Sequence, residues 1–265
     1  MGISTEALLA LLIVALYLKD SLLPLRSDEA VLVRGLGGQG GRWHAGFGAR
    51  GYKLAGREPW LANPFTPHAP VFRLGWAMRA AGSAGAPPSS SLPQSLPLSL
   101  PLSLPPTALL SVPPPLAWLA PFAWVSWGLL FVAIPTAVVA QWGVLAVLSA
   151  VGLLYLNIVA ALAVTWAQRG PLGLSGRALA MLAFECLVCA PYSANLVRRL
   201  SLLSPSAEDF TAAASRLLPP DALAEVHREC LARIDEQIEA EPEDSAAARA
   251  LQQARQRFAT PGEAQ

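Results

Sequence analysis

The sequence predicts a mainly α-helical integral membrane protein. It should have an N-terminal anchor, a transmembrane helical hairpin, a small β-rich loop region and C-terminal amphipathic helices. Three observations carry this. Of 265 residues, 54% are hydrophobic and 14% charged, with mean hydropathy +0.43, whereas a soluble domain carries about 25% charged residues. From Ala80 to Gln168, 89 consecutive residues contain no Asp, Glu, Lys or Arg, which no ordinary soluble surface allows. Within that stretch, Leu116 to Trp166 is a charge-free run of 51 residues, and one helical span needs only about 20.

Residues 1–26 read as the anchor. Ala7 to Leu18 is an unbroken apolar run of twelve, closed by Lys19 and Asp20. Twelve helical residues rise only about 18 Å against a hydrocarbon core of about 30 Å. Extension back to Gly2 and on to Leu23 closes the gap, with Lys19 snorkelling to the interface. A cleaved signal peptide would open with a basic region and end in small-x-small. The opening M-G-I-S-T-E and the ending Y-L-K-D-S-L-L-P favour an uncleaved anchor.

Residues 116–167 read as two antiparallel spans, Leu116–Val139 and Gly143–Ala167, turning at A-Q-W-G where Gln141 and Gly143 are the natural breaks. Trp118, Trp142 and Trp166 recur every 24 residues, about 36 Å of helix, which suits anchors at the two interfaces. Pro135 should kink the first span, with Ser126 and Thr136 near the freed backbone groups. Ala146, Ala150 and Gly152 suit close packing of the hairpin.

Residues 168–205 are ambiguous. The segment is long enough to span, but Glu185 lies near its middle, Pro191 interrupts it and Arg198-Arg199 close it. A carboxylate at the centre of a span costs about 2.5–3.5 kcal/mol, so an interfacial or shallow-embedded helix is preferred. Helical spacing would set Glu185, Tyr192, Asn195 and Arg199 along one stripe. With three spans the N-terminus lies outside, and Lys19, Arg26, Arg34, Arg169 and Arg177 are all cytoplasmic, as is the C-terminus.

Residues 27–79 read as a Gly-rich, β-rich membrane-proximal region. Asp28–Arg34 and Arg42–Phe47 suggest strands, nine glycines fall between Gly35 and Gly56, and Pro59 to Pro70 excludes regular helix. Trp60, Phe65, Phe72 and Trp76 beside Arg57, Arg73 and Arg79 suit a headgroup layer. Residues 80–115 form a low-complexity Pro/Ser/Leu linker with a four-residue repeat that favours polyproline II.

Residues 206–265 are acidic, with six Lys/Arg against twelve Asp/Glu from 200 onward, and should be helical. Ser206 with Asp209 resembles a capping box. Pro219-Pro220-Asp221 restart a helix through about Ala240 with Leu223, Val226, Cys230, Ile234 and Ile238 on one face. After Pro242, Asp244 or Ser245 caps a last helix striped by Ala247, Leu251, Ala254 and Phe258. The stripes are narrow, so this helical hairpin should lean on the rest of the protein or on a partner.

Chemical constellations are sparse. Gly35-Leu-Gly37-Gly-Gln-Gly40 matches G-x-G-x-x-G, but the residues after it do not look helical, so a loose turn between strands is the better reading. Cys186-x-x-Cys189 with His227-x-x-Cys230 has zinc-like ligand types and spacings, yet F-E-C-L-V-C-A suits small core residues better. An embedded Glu185 would need Arg177 or Arg199, or protonation. No nucleophile motif, Walker loop or H-E-x-x-H is present, so no catalytic centre and no cofactor are expected, and no basic stripe suits nucleic acid.

The expected function is that of a scaffold, assembly factor or accessory subunit of a bacterial inner membrane, the Arg-rich, Lys-poor composition suiting a GC-rich bacterium. Its partners would be membrane lipid and a protein engaged through 206–265. The alternatives are a transport component in which Glu185 and Asn157 face a path, and a metal or thiol protein built on Cys186, Cys189, His227 and Cys230.

Overall fold

The computed structural model of the chain describes residues 5–35, 43–76, 114–203, 209–242 and 245–259. Its described part is mainly helical with a small β region. In chain order the elements are α1 (Thr5–Ser21), β1 (Leu22–Leu25), β2 (Glu29–Arg34), β3 (Trp43–Phe47), β4 (Glu58–Leu61) and β5 (Val71–Gly75). Next come α2 (Pro114–Gly128), a π-helical turn (Leu129–Ala133), α3 (Ile134–Val139), α4 (Val144–Ala167), α5 (Gly176–Val188), α6 (Pro191–Ala194), α7 (Leu196–Leu203), α8 (Phe210–Leu217), α9 (Pro220–Ala240) and α10 (Ala246–Ala259).

Two helices, Leu116–Val139 and Val144–Ala167, are long and apolar enough to cross a membrane by length and composition. They turn back on each other where expected. Gln141 (φ 53°) and Gly143 (φ 88°) both adopt the positive φ that ends one helix and redirects the chain. The cost of Pro135 is met in the backbone itself, between Ser126 and Pro135, rather than by the Ser126 or Thr136 side chains. The ladder widens to i→i−5, with the Ile134 N–H bonding to the Leu129 carbonyl, a π-bulge ahead of a residue that has no N–H to give. The Ser126 hydroxyl is engaged elsewhere, by Asn157 and Ser193. Gly152 is exposed and a Cβ there would meet nothing within 4 Å; the buried face of α4 is instead Leu154, Ile158, Ala161 and Thr165.

The helix α1 stops at Ser21 rather than Leu23, because the chain turns into β1, which pairs antiparallel with β4. The main sheet is antiparallel in the order β3-β2-β5, with Leu32 opposite Ala45 on one side and Phe72 on the other. The apolar run Ala30–Val33 places residues on both faces, and both are covered. Ala30 and Leu32 join Phe72, Leu74 and Trp76 under α8–α10, while Val31 packs with Leu25 and Val71. Phe72 and Trp76 are thus core residues (3% and 1% exposed), not headgroup anchors as the sequence suggested; Phe65 stays exposed.

Two glycines of the rich tract are required by close approach. A Cβ on Gly46 would collide with the Trp60 indole, and one on Gly48 with the Glu58 side chain. From residue 36 onward the G-x-G-x-x-G tract lies outside the described residues. The element beyond it is strand β3, antiparallel to β2, not the helix a dinucleotide site requires. The repeat in 80–115 also lies outside the described residues up to 113.

The tail follows its pattern closely. Asp209 itself caps α8, accepting from the Thr211 and Ala212 N–H groups, while Ser206 lies outside the described residues. Pro220 opens α9, and the Ser245 hydroxyl accepts from Ala248 N–H at the start of α10. Val226, Cys230, Ile234, Leu251 and Ala254 are buried against the sheet. Each large side chain fully buried there, such as Phe210 or Ile234 (both 0% exposed), contributes about 1.5–3 kcal/mol.

Candidate functional site

The ambiguous segment breaks where Pro191 demanded it. The helix α5 ends at Val188, and α6 and α7 come after it as separate pieces. Thirteen residues of α5 rise about 20 Å, too little to span about 30 Å of hydrocarbon. The predicted stripe along one helix is therefore not continuous, yet its polar residues converge by tertiary folding on the end of α1.

The junction is built around two adjacent arginines. Arg199 donates from Nε to Asp20 Oδ1 (2.9 Å) and from Nη1 to Glu185 Oε2 (2.5 Å), and its guanidinium lies 4.4 Å from the Tyr192 ring centroid. Arg198, only 4% exposed, points the other way. Its Nη1 donates to Ser21 Oγ (3.3 Å) and Asn195 Oδ1 (2.9 Å), and its Nη2 to the Thr66 carbonyl (2.8 Å) and the Asn63 carbonyl. Asn195 donates to Asp20 (3.0 Å) and Ser21 (3.1 Å). Tyr17 donates to the Pro64 carbonyl at 2.6 Å. Two carboxylates and two guanidiniums thus balance in charge while tying α1, the 63–66 loop, α5 and α7 together. Close by, His68 stacks on Trp124 at 5.4 Å; burial, and then the charge of Arg198, hold its imidazole pKa below the ordinary value, so it is neutral at neutral pH.

A neutral polar knot sits beside this ionic one. Asn157 donates from Nδ2 to the Phe122 carbonyl and to Ser126 Oγ, both at 2.9 Å. The Ser193 hydroxyl reaches Ser126 Oγ at 3.1 Å. Together they lock α2, α4 and α6.

A second ionic cluster fastens the tail to the β region. Arg233, 3% exposed, bonds to Glu58, to the Gly48 carbonyl and, through Nε, to Glu229 Oε1 (2.9 Å). Arg50 donates from Nε to the same Glu229 oxygen at 2.9 Å. Burial alone would raise the Glu229 carboxyl; hydrogen bonds from Arg50 and Arg233 outweigh it and hold the group below its usual range. The cleft beside this cluster, about 280 Å³, is lined by Lys53, Glu58, Arg233, Glu236 and Glu241 among others.

Of the residues singled out in the sequence, Glu185 does meet Arg199 rather than Arg177. Trp118, Trp142 and Trp166 are all exposed, and Arg169 lies 4.5 Å over the Trp166 ring. Cys186, Cys189, His227 and Cys230 are not brought together. Cys186 belongs to the core between α1, α2, α4 and α7, Cys230 to the core under the sheet, and among the described residues no three His, Cys, Asp or Glu side chains are grouped to hold a metal ion. Burial pushes the Cys230 thiol up to about 12, so it is protonated and inert. Sequence reasoning missed the hub roles of Arg198 and Arg233. The i,i+4 pair Glu229–Arg233 was a readable signal for the second; Arg198 gave none beyond closing an apolar segment. The chain matches no known protein family, no curated protein and no solved structure.

Proposed function

We propose that this protein is a scaffold or accessory subunit of a bacterial inner membrane. Three membrane segments (α1, α2–α3 and α4) would hold the sheet and its tail helices at the cytoplasmic face, with the N-terminus outside. The observation that carries the reading is the exposure of the two long apolar helices. Only 22% and 17% of their most apolar stretches are buried, whereas the core helix of a soluble protein is mostly covered. Exposed Leu8, Leu11, Leu12 and Val14 extend the same surface onto α1. The end of α1 runs directly into β1, and three spans would put Lys19, Arg26, Arg34, Arg169 and Arg177 on one side of the membrane.

The tail's apolar stripes are covered by the sheet, so a protein partner would be recognised by what stays outside. On α9 that is a ridge of exposed Asp221, Glu225, Glu236 and Glu239 broken only by Arg228, suited to a basic surface. The transport alternative loses support, since Arg199 holds Glu185 and the hairpin itself holds Asn157. Deleting 207–265 would bare Leu32, Phe72 and Trp76 and is not a clean test. Instead, Glu225→Lys/Glu236→Lys/Glu239→Lys should abolish a crosslinked partner recovered from membranes while the thermal midpoint is kept. Recovery of the protein in the soluble fraction after alkaline extraction, or the same crosslinks in the triple variant, would overturn the proposal.

A further inference from the structure

We propose that the outer edge of β3 takes up an extended segment of the partner protein as a further strand of the main sheet, with a Lys or Arg of that segment seated against Glu225. The proposal rests on the partner reading of α9 and names the form in which that partner binds.

The backbone identifies the edge. The Arg34 N–H donates to the Pro70 carbonyl and the Trp76 N–H to the Asp28 carbonyl. Even-numbered residues along β2 therefore turn their peptide groups toward β5, and odd-numbered ones toward β3. By the register, Val31 and Val33 meet Gly46 and His44, so the N–H and C=O groups of Trp43, Ala45 and Phe47 point away from the sheet. Ala49, next in that series, does donate outward, to the Pro59 carbonyl at 2.9 Å, but β4 goes no further along this edge and pairs with β1 instead. Among the described residues nothing bonds the outward backbone groups of Trp43, Ala45 and Phe47.

The other strands are guarded. On β5 the outward Val71 N–H donates to the Ser201 hydroxyl at 2.9 Å. On β1 and β4, Pro24 lies opposite Pro59, and each withholds a donor. The sequence of β3, W-H-A-G-F, has no proline, Lys, Arg, Asp or Glu, the residues that discourage pairing at an edge.

A cleft of about 240 Å³ lies beside this edge. It is lined by both His44 and Ala45, consecutive residues whose side chains take opposite faces, so it wraps the edge rather than either face. The far wall is α9, through Glu225, Val226 and Glu229. The volume is below the roughly 300–1,000 Å³ of small-ligand sites and suits one long side chain of an added strand. Arg50 and Arg233 hold Glu229, which leaves exposed Glu225 as the anion for an incoming cation; Arg228 does not line the cleft. A second copy of the chain is the poorer occupant, since its β3 brings no Lys or Arg and would set one Glu225 wall beside another. Main-chain bonds would supply affinity and Glu225 the selectivity.

The test uses the purified full-length chain in detergent and a displayed library of random peptides. Selected peptides should carry Lys or Arg, and the tightest should slow hydrogen exchange at the Ala45 and Phe47 amides about tenfold or more while His44 and Gly46, already facing β2, change little. Methylating alternate peptide nitrogens should weaken binding about tenfold or more in one register only. Ala45→Pro removes an outward donor, which an edge strand tolerates, so binding should be lost with the thermal midpoint kept; should the midpoint fall, the methylated peptides carry the same test. Glu225→Lys should remove the preference for Lys or Arg. No selected peptide, protection confined to α9, or equal binding in both methylation registers would each overturn the proposal, as would dimerisation that protects the same amides without peptide. In membranes, crosslinks kept in Ala45→Pro but lost in the triple-lysine variant sink the added strand and leave the partner reading standing; crosslinks kept in both sink that reading as well.

Discussion

Arg198 and Arg233 are both almost fully buried, at 4% and 3% exposure, yet their environments differ in kind. Arg233 faces two carboxylates, Glu58 and Glu229. Arg198 faces mainly neutral acceptors: Ser21, Asn195 and the carbonyls of Asn63 and Thr66. The charge that balances it sits one residue on, in the Arg199 contacts to Asp20 and Glu185. In the charge-rich sheet and tail a cation is matched by an anion. In the apolar helical region the carboxylates go to Arg199, and buried Arg198 is matched by side-chain oxygens and backbone carbonyls, which need no further buried charge. The two regions solve the same desolvation problem with the groups their composition offers.

This distinction is tested most directly at Arg233. Arg233→Ala leaves Glu58 buried without its cation and should cost about 3–5 kcal/mol, read by chemical denaturation of the tail in detergent. If Glu58→Gln/Arg233→Met recovers most of the loss, the cost is that of an orphaned charge. Arg198→Leu should cost less, about 1–3 kcal/mol, because it strands carbonyls rather than a carboxylate. Equal costs would show that the two arginines are equivalent.

Acid probes the carboxylate-matched arginine without mutation. Glu229 is held below its usual range, so its contribution is fully present above the unfolded value of about 4.3 and is lost as pH falls through the lower folded value. The Glu229 tether of α9 should therefore be released only when pH falls below the ordinary carboxylate range, as measured by hydrogen exchange in α9. Asp209→Ala removes the cap of α8 and should cost about 1 kcal/mol. Smallest of all is Asp235→Asn. Its bridge to Arg255 is exposed on both sides, and it should change the midpoint stability by less than about 1 kcal/mol.

Much of the fold was legible because local chemistry dictated it. The hairpin turns at Gln141 and Gly143, since a positive φ and a break in two apolar runs coincide there. Helix α9 begins at Pro220 and buries Val226, Cys230 and Ile234, as their spacing of four residues requires. Strands β1, β4 and β5 were missed. Leu22–Leu25 reads as the end of an apolar helix until β4 pairs with it, and Pro59 argues against a strand anywhere but at a sheet edge, where it lies. Phe72 and Trp76 looked like headgroup anchors because nothing local says that α8–α10 will cover them.

Residue order alone settled the helical hairpin with its turn, the tail helices, and that two helices are too oily to cover their own surface with polar groups. Those properties arise from residues within a few turns of one another. Which polar groups meet was settled only in three dimensions: Arg198 reaches Asn63 across 135 residues and Arg233 reaches Glu58 across 175. A buried charge takes as its partner whatever acceptor the packed chain brings within hydrogen-bond reach, and separation along the sequence carries no record of that.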